Sequence, residues 1–346
     1  MDRILCVTTM RNEGPFLIDW VAHMRAIGVT DLLVYTNHCD DPTARMLDLM
    51  ARAGALRHLP QDPPPGESPQ WLALRDAWRQ PERKAADWAL VADADEYPNI
   101  HAGEGRLADL FARLDGEAEA VALPWRLFGA NGRARLEEGA VPELFTASAA
   151  PEQDFPVAAT LFKTLFRPYG RFTRFGVHRP GQRRGETPAW RDGDGRPLAG
   201  HVAGRAARLS LWGAPVARGL AETNHYSLRS AESFLVKRDR GLPNRSEKRV
   251  DLHYWVERNF NTVENATIAR SAARRAAERA ALLSIPGLAA LEEEAYAWHR
   301  ARFRALLRDE AGYRLYAHCL LSAASAPVSP ETARWLVARY GEIEGS

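Results

Sequence analysis

The sequence predicts an α/β protein with a mostly parallel central sheet flanked by helices, followed by a helical C-terminal region. Three observations lead to this prediction. Residues 4–35 follow a strand, loop, helix, strand pattern, residues 88–92 form an apolar run that leads directly into acids, and the pattern from residue 231 onward is almost wholly helical. A strand–helix–strand unit implies parallel strands with a site at their carboxyl ends. We therefore expect function near residues 9–13 and 36–41.

The first unit is the clearest element. Residues 4–9 are apolar and β-branched, as expected of a buried strand, and a polar loop follows at 11–15. Apolar residues recur at helical spacing over 16–27, and Gly28 stands where a helix commonly ends. The next strand is predicted at 32–35.

The later elements continue the alternation. We predict helices at 43–53, 70–86 and 105–114, strands at 88–92, 119–128 and 160–167, and a helix or loop near 141–147. Residues 180–219 are rich in Gly, Arg and Pro, which predicts a loop excursion. The predicted organisation is a catalytic domain at 1–230 and a helical region at 231–346, whose apolar stripes fit either packing on that domain or self-association to a homo-oligomer.

Composition narrows the class of protein. Forty-six Lys and Arg against 44 Asp and Glu give a net charge of +2, which does not demand a nucleic acid or an anionic membrane as partner. The three cysteines lack metal-type spacing, which fits a reduced compartment. The sequence shows neither a signal-peptide pattern nor an apolar run of about 20 residues. We expect a cytoplasmic protein, and peripheral membrane contact is compatible with this expectation.

Asp93 and Asp95 carry the strongest chemical signal. They follow the buried strand at 88–92, where unpaired carboxylates are costly to desolvate. Two carboxylates one residue apart can both reach a divalent cation, and such a cation can bridge a diphosphate. A solvated acidic turn is the alternative, but the position at a strand end favours the metal site.

The segment that contains these acids and several further segments resemble one known family. The chain resembles the family-2-like glycosyltransferases, and is closest to the group related to glycosyltransferase family 92. The matching segments occur in order over about residues 1–310: TMRNEGPFLIDW at 9–20, AIGV at 26–29, VYTN at 34–37, DPT at 41–43, WALVADADE at 88–96, WRLFG at 125–129, KTLFRP at 163–168, VHRP at 177–180, NHYSLRS at 224–230 and KRDRG at 237–241. The turn at 37–40 departs from the acidic or serine-containing turn of many relatives.

This resemblance implies a GT-A fold and hexosyltransferase activity. The donor would be a nucleotide-diphosphate sugar, typically a UDP-sugar, and the cofactor Mn²⁺ or Mg²⁺. The reaction would invert the anomeric carbon, and the acceptor would be a glycan or glycolipid, as in polysaccharide biosynthesis.

The resemblance also places candidate site residues. The implied metal ligands are Asp95 and Asp93. His225 would complete the set, with His178 as the alternative. The predicted donor-binding residues are Thr9, Arg11, Asn12, Glu13, Asn37, Asp93, Lys237 and Arg240. Loop capping is the alternative role for residues 9–13, and turn formation for Asn37.

Transfer with inversion requires a general base. Glu143 is the predicted base, with Asp154, Glu186 and Asp192 as further candidates and an ordinary helix-start position as its alternative role. Trp125 and Arg126 are expected on the acceptor side, because aromatic faces stack on sugars and Arg pairs with acidic groups.

Three rival functions are compatible with parts of this pattern. A non-catalytic GT-A-like nucleotide-binding protein would share the fold. A Rossmann-type oxidoreductase would need a Gly-rich turn after the first strand, which residues 9–13 lack. An RNA-binding module is disfavoured because the Arg-rich segment at 179–208 has few interleaved aromatic residues.

Overall fold

A computed structural model describes residues 2–241 and 250–344 of the chain. Within these ranges the strands are β1 (Ile4–Met10), β2 (Asp31–Thr36), β3 (Arg57–Pro60), β4 (Trp88–Val91), β5 (Glu96–Ile100), β6 (Ala120–Leu127), β7 (Ala147–Ser148), β8 (Phe162–Phe166), β9 (Phe172–Arg174), β10 (Gly181–Gln182), β11 (Trp190–Arg191), β12 (Ala221–His225) and β13 (Val263–Glu264).

The helices fall into a group between the strands and a group at the C-terminal end. They are α1 (Gly14–Ala26), α2 (Thr43–Arg52), α3 (Pro69–Ala77), α4 (Pro81–Ala85), α5 (Leu107–Phe111), α6 (Val141–Leu144), α7 (Gly200–Ala203), α8 (Ala231–Arg240), α9 (Leu252–Val256), α10 (Ala272–Leu283), α11 (Leu288–Leu306), α12 (Glu310–Leu321) and α13 (Pro330–Glu344), with 3₁₀ turns at Val157–Thr160 and Thr267–Ser271. The helix predicted at 70–86 is thus divided into α3 and α4.

The central sheet has the order β3-β2-β1-β4-β8-β6-β12-β5, with β11 added beside β6. Strands β3, β2, β1 and β4 are parallel, as the opening pattern predicts. Strand β8 is antiparallel to both β4 and β6, and β12 is parallel to β6 but antiparallel to β5. The carboxyl ends of β1, β2, β4, β6 and β12 therefore lie at the same edge as the starts of β5 and β8.

Both faces of the sheet are covered. Along β1, Ile4 and Cys6 pack into the core on the side of α1 and α2, whereas Leu5 and Val7 pack into the core on the side of α3. This alternation is the period of a strand whose two faces are both buried. Helix α1 is buried on nearly every side because α10 and α11 cover its outer face.

The segment at 180–219 differs in part from the predicted loop excursion. Trp190 and Arg191 form β11, which pairs in parallel with the start of β6. The side chains of Trp190, Val202 and Leu211 are buried in the core beside α3. Strands of two residues cannot be predicted from a sequence rich in Gly and Pro, because they are too short to show the alternation of a strand.

The predicted fold class is confirmed: a mostly parallel central sheet flanked by helices is followed by a helical C-terminal region. The domain boundary at 230 stays a prediction. Among the helices that the structure describes, none combines the length and apolar character needed to cross a bilayer.

Candidate active site

A cavity of about 420 Å³ opens at the edge where the strand ends meet. Its walls come from the ends of β1, β2 and β6, the start of α3, the turn between β4 and β5, and the region around α8 and α9. The cavity lies where parallel α/β sheets place their ligands. It includes most of the predicted site residues.

Asp95 lies in the turn between β4 and β5, and its side chain is almost fully buried. Oδ2 accepts a hydrogen bond from Lys237 Nζ at 2.6 Å, and Oδ1 lies 3.6 Å from His225 Nε2. Burial alone would raise the pKa of the Asp95 carboxyl, but Lys237, His225 and Arg229 outweigh it and lower that pKa well below its usual range. Asp95 is therefore a carboxylate held in place at the cavity wall.

Asp93 lies in the same turn and is more accessible, with 32% of its side chain exposed. Its Oδ1 accepts from Gln70 Nε2 at 2.8 Å, and its Oδ2 from Lys163 Nζ at 3.3 Å. Lys163 also pairs with the buried Glu96 at 2.9 Å. Because β8 runs antiparallel to β4, it brings Lys163 beside this turn, although the two are about 70 residues apart in the chain.

Glu13 is the centre of a second buried ion cluster. It pairs with Arg229 at 2.9 Å and also with Arg240. Burial would raise the pKa of Glu13, but Arg240 and Arg229 lower it below its ordinary value. The Arg229 Nη2 group donates to the Ala94 carbonyl at 2.9 Å, so this cluster connects β1, the acidic turn and α8.

The predicted donor-binding residues divide into two groups. Thr9, Arg11, Glu13, Asn37, Asp93, Lys237 and Arg240 line the cavity. Asn12 does not: its side-chain amide exchanges hydrogen bonds with Asp40 across the β1 and β2 loops. Asn12 thus braces the two loops, in line with its alternative role, and its part in donor binding stays a prediction.

Three rings form one side of the cavity. The Trp125 ring lies 4.0 Å from the His225 ring and 5.0 Å from the His178 ring, measured between centroids. All three residues line the cavity. They offer an aromatic surface of the kind that stacks on sugar rings.

Arg126, by contrast, lies outside the cavity wall. Successive residues of a strand point to opposite faces, so Arg126 in β6 faces away from the side that Trp125 occupies. Its positive charge helps to lower the pKa of Glu222, and burial lowers the pKa of its own guanidinium. The structure does not bring Arg126 to this cavity wall, and its acceptor-binding role stays a prediction.

Glu143 is also placed away from the cavity wall. It lies in α6, is 64% exposed at its side chain, and pairs with Arg275 of α10 at 2.7 Å. Glu143 is thus the ion-pair partner of a buried arginine and is not brought to the cavity wall; its role as general base stays a prediction.

Five functional candidates were missed by the sequence prediction. Lys163 and Arg229 fall inside matching segments but received no role, whereas Gln70, Tyr254 and Arg258 lie outside them. No matching segment indicated Gln70, Tyr254 or Arg258, because these residues reach the cavity only through the tertiary fold.

Comparison with known proteins adds a sequence match. No protein-family model matches the chain. A curated protein of Oryza sativa subsp. japonica, described as a glycosyltransferase family 92 protein, is 26% identical over 162 residues, which is 43% of this chain and 26% of that protein. The chain thus resembles glycosyltransferase family 92. This confirms the resemblance predicted from the ordered segments.

Solved structures were also compared. TarS from S. aureus matches with a TM-score of 0.31 and 13% identity over 48% of this chain and 47% of TarS, and TarS was solved with UDP and with UDP-GlcNAc. Glucosyl-3-phosphoglycerate synthase from Mycobacterium tuberculosis matches with a TM-score of 0.26 and 16% identity over 48% of this chain and 57% of that one. That protein was solved with Mn²⁺, UDP-glucose and phosphoglyceric acid. The chain spans about a quarter of the curated relative and about half of these solved chains.

Proposed function

We propose that the protein is a hexosyltransferase that moves a sugar from a nucleotide-diphosphate sugar, a UDP-sugar, to a glycan or glycolipid acceptor with inversion. The observation that carries this proposal is the pairing of acids and cations in one cavity. Asp93 and Asp95 stand beside Lys237 and Arg240 in a space of about 420 Å³. The match to a family 92 glycosyltransferase supports the same function.

Lys237 and Arg240 are suited to bind the diphosphate of the donor. Both belong to the last turns of α8, line the cavity and are oriented by acids, Lys237 by Asp95 and Arg240 by Glu13. The positive charge of both side chains would stabilise the negative charge that grows on the leaving nucleotide. Thr9, Arg11 and Asn37, at the ends of β1 and β2, would contact the nucleoside.

The ligand atoms of Asp95 and His225 are spaced to fit a divalent cation. Oδ1 of Asp95 and Nε2 of His225 are 3.6 Å apart, and two ligands each about 2.1 Å from an ion lie roughly 3 to 4 Å from one another. Within 2–241 and 250–344, three or more His, Cys, Asp or Glu side chains do not form a metal-binding group. Asp95 and His225 would therefore hold Mn²⁺ or Mg²⁺ together with diphosphate oxygens and water, as Mg²⁺ sites commonly do. When bound, the ion would neutralise charge on the diphosphate.

His178 is a cavity residue that we propose as the acceptor of the proton from the acceptor hydroxyl. Its Nδ1 lies 3.2 Å from the carbonyl oxygen of Phe162, which can only accept a hydrogen bond, so Nδ1 carries the proton. In a neutral ring the basic nitrogen is then Nε2.

Calorimetric titration with UDP, with and without Mn²⁺, tests the donor site. We expect wild-type protein to bind UDP more tightly with Mn²⁺, and Asp95→Asn to lose most of that gain because the amide is a weak ligand for the ion. Glu310→Gln makes the same change at an exposed carboxylate of α12 and serves as the matched control.

Two results would contradict the proposal. UDP binding that is absent in wild-type protein would remove the donor site, and equal Mn²⁺ dependence in wild type and Asp95→Asn would remove the metal site. Release of UDP from UDP-sugars then separates an enzyme from a non-catalytic nucleotide-binding protein.

A further inference from the structure

Exposed apolar side chains are concentrated in the last two helices. Of the eleven large apolar side chains that are exposed in the described ranges, seven lie within residues 313–343. They include Tyr313 and Leu321 of α12 and Trp335 of α13. Single exposed apolar residues are common on any protein, whereas a concentration of them marks an interaction surface.

Helix α13 is well formed locally but has little tertiary support. Ser329 caps its first turn, where Oγ accepts from the Thr332 amide at 3.2 Å, and Pro330 opens the helix. None of the other helices and strands that the structure describes packs extensively on it. A helix of 15 residues is marginal in water on its own, so α13 needs a further surface to pack on.

One face of α13 presents an aromatic side chain between an acid and a base. Glu331, Trp335 and Arg339 are spaced by four residues and therefore lie along the same side of the helix. All three are exposed, Trp335 by 65%. Arg339 pairs with Glu342 at 2.7 Å within the helix, but both side chains of that pair are more than 60% exposed, and such pairs are weak.

This order of charges is complementary to itself. In two copies of α13 that lie antiparallel about a two-fold axis at Trp335, each Trp335 meets its own copy. Glu331, four residues before Trp335, then lies beside Arg339 of the second copy, four residues after it, and symmetry creates the same ion pair twice. In a parallel pair each charge would instead meet its like, which is repulsive.

A lipid surface fits this helix less well. Helices that lie on membranes carry an excess of Lys and Arg on their polar face. Residues 330–344 contain three acids, Glu331, Glu342 and Glu344, against two bases, Arg334 and Arg339. The charge of α13 therefore favours a second copy of the chain over an anionic bilayer.

We propose that α13 mediates self-association of this protein as an antiparallel pair, with Trp335 at the two-fold axis and Glu331 paired with Arg339 of the second copy. The inference is independent of the proposed glycosyl transfer, because none of these three residues lines the cavity. Trp335 should contribute most of the affinity, because central aromatic residues are typical interface hot spots. One helix pair is a small interface, so we expect a dissociation constant on the order of 10 μM.

Sedimentation velocity of the full chain between about 1 and about 100 μM tests this association. The weight-average sedimentation coefficient of wild-type protein should rise with concentration, as for a monomer–dimer equilibrium. Trp335→Ala should weaken dimerisation at least about ten-fold. Tyr169→Ala removes an exposed aromatic side chain outside residues 313–343 and should leave dimerisation unchanged.

Charge reversal tests the antiparallel arrangement. Glu331→Arg places four cations around the two-fold axis, and Arg339→Glu places four carboxylates there, so each variant alone should dimerise at least about five-fold more weakly. An equimolar mixture of the two variants should restore dimerisation, because every cation then meets a carboxylate. Circular dichroism checks that each variant is folded, and a folding defect would not be rescued by mixing.

Four results would overturn the inference. Three come from sedimentation: a coefficient of wild-type protein that does not change with concentration, equal dimerisation of wild type and Trp335→Ala, or a mixture of the charge variants that dimerises no better than either alone. The fourth is binding of monomeric protein to vesicles of phosphatidylcholine and phosphatidylserine that is lost in Trp335→Ala, which would assign α13 to a lipid surface.

Discussion

Glu13 shows how a single carboxylate organises the charged side of the cavity. It is 3% exposed and joins Arg229, which precedes α8, to Arg240, which ends it. Arg229 has a φ of 54°, a left-handed conformation that is uncommon for a residue other than glycine. The pairing with Glu13 and Ala94 is what compensates this backbone conformation.

Replacing Glu13 by Gln should therefore lower the free energy of unfolding by more than the loss of one exposed charge would. Two buried guanidinium groups would lose their anion, and breaking a buried pair costs about 3–5 kcal/mol. The free energy of unfolding, measured with urea, should fall by about that amount, and UDP affinity should fall because Arg240 is no longer oriented. Glu310→Gln, at an exposed carboxylate, should be neutral in both measurements; a neutral Glu13→Gln would contradict the proposed role of the cluster.

At the residue scale, the sequence predicted position better than direction. Asp93 and Asp95 follow β4, His225 ends β12 and Lys237 lies in α8, all in matching segments, and all four line the cavity. The sequence could not place Arg126 on one face of β6, because a residue of a doubly buried strand gives no indication of which face it occupies. It could not show the ion pair of Glu143 either, because an acid at a helix start gives the same pattern whether it faces a site or an arginine.

At the scale of elements, the contact between α1 and β5 depends on a neutral histidine. His23 of α1 lies 2.9 Å from the Pro98 carbonyl through Nε2, which must therefore donate. Burial, aided by Arg275, lowers the pKa of His23 to about 3. The folded chain excludes a proton that the unfolded chain takes up below about pH 6.5.

This pKa predicts an acid-dependent loss of stability. Because the folded pKa is the lower one, the contribution of His23 is complete above about pH 6.5 and is lost as the pH falls toward about 3. Between about pH 7.5 and about pH 5.5, one such group costs about 1.4 kcal/mol. His23→Gln keeps a donor for Pro98 without the proton uptake, so urea unfolding at both pH values should show a smaller difference in the variant. Equal differences would contradict this explanation.

The same scale explains which elements were predictable. Strands β1 and β4 and helix α1 have long periodic or apolar patterns and were found within a few residues. The two-residue strands β10 and β11 have no such pattern, and β11 pairs with a partner about 70 residues away in sequence.

At the scale of the whole molecule, the two predicted regions share one site. Lys237, Arg240, Tyr254 and Arg258 come from beyond residue 230, yet they line the same cavity as the acids of the sheet edge. Helix α12 packs on α8 and α9. Its C-terminal end accepts hydrogen bonds at the Ser322 carbonyl from Trp255 at 2.9 Å and from Asn259 at 3.0 Å.

Two truncations test this support. A chain of residues 1–327 removes α13, which carries exposed apolar side chains such as Trp335 and Tyr340, and should bind UDP as the full chain does. A chain of residues 1–311 removes α12 and uncovers the apolar core around Trp255 and Phe303, so UDP affinity should fall at least about ten-fold as α8 loses its packing. Equal UDP affinity of the two shortened chains, measured by calorimetry, would show that α12 is not needed to position α8.

The span of the site along the chain has a consequence during synthesis. Thr9 and Arg258 line the same cavity although they are about 250 residues apart. At about 5–20 residues per second, a ribosome needs on the order of 10–50 s to extend the chain from one to the other. The acidic turn, Lys163 and Lys237 are synthesised before Tyr254 and Arg258. The nascent chain therefore acquires the complete cavity only after most of the chain has been translated.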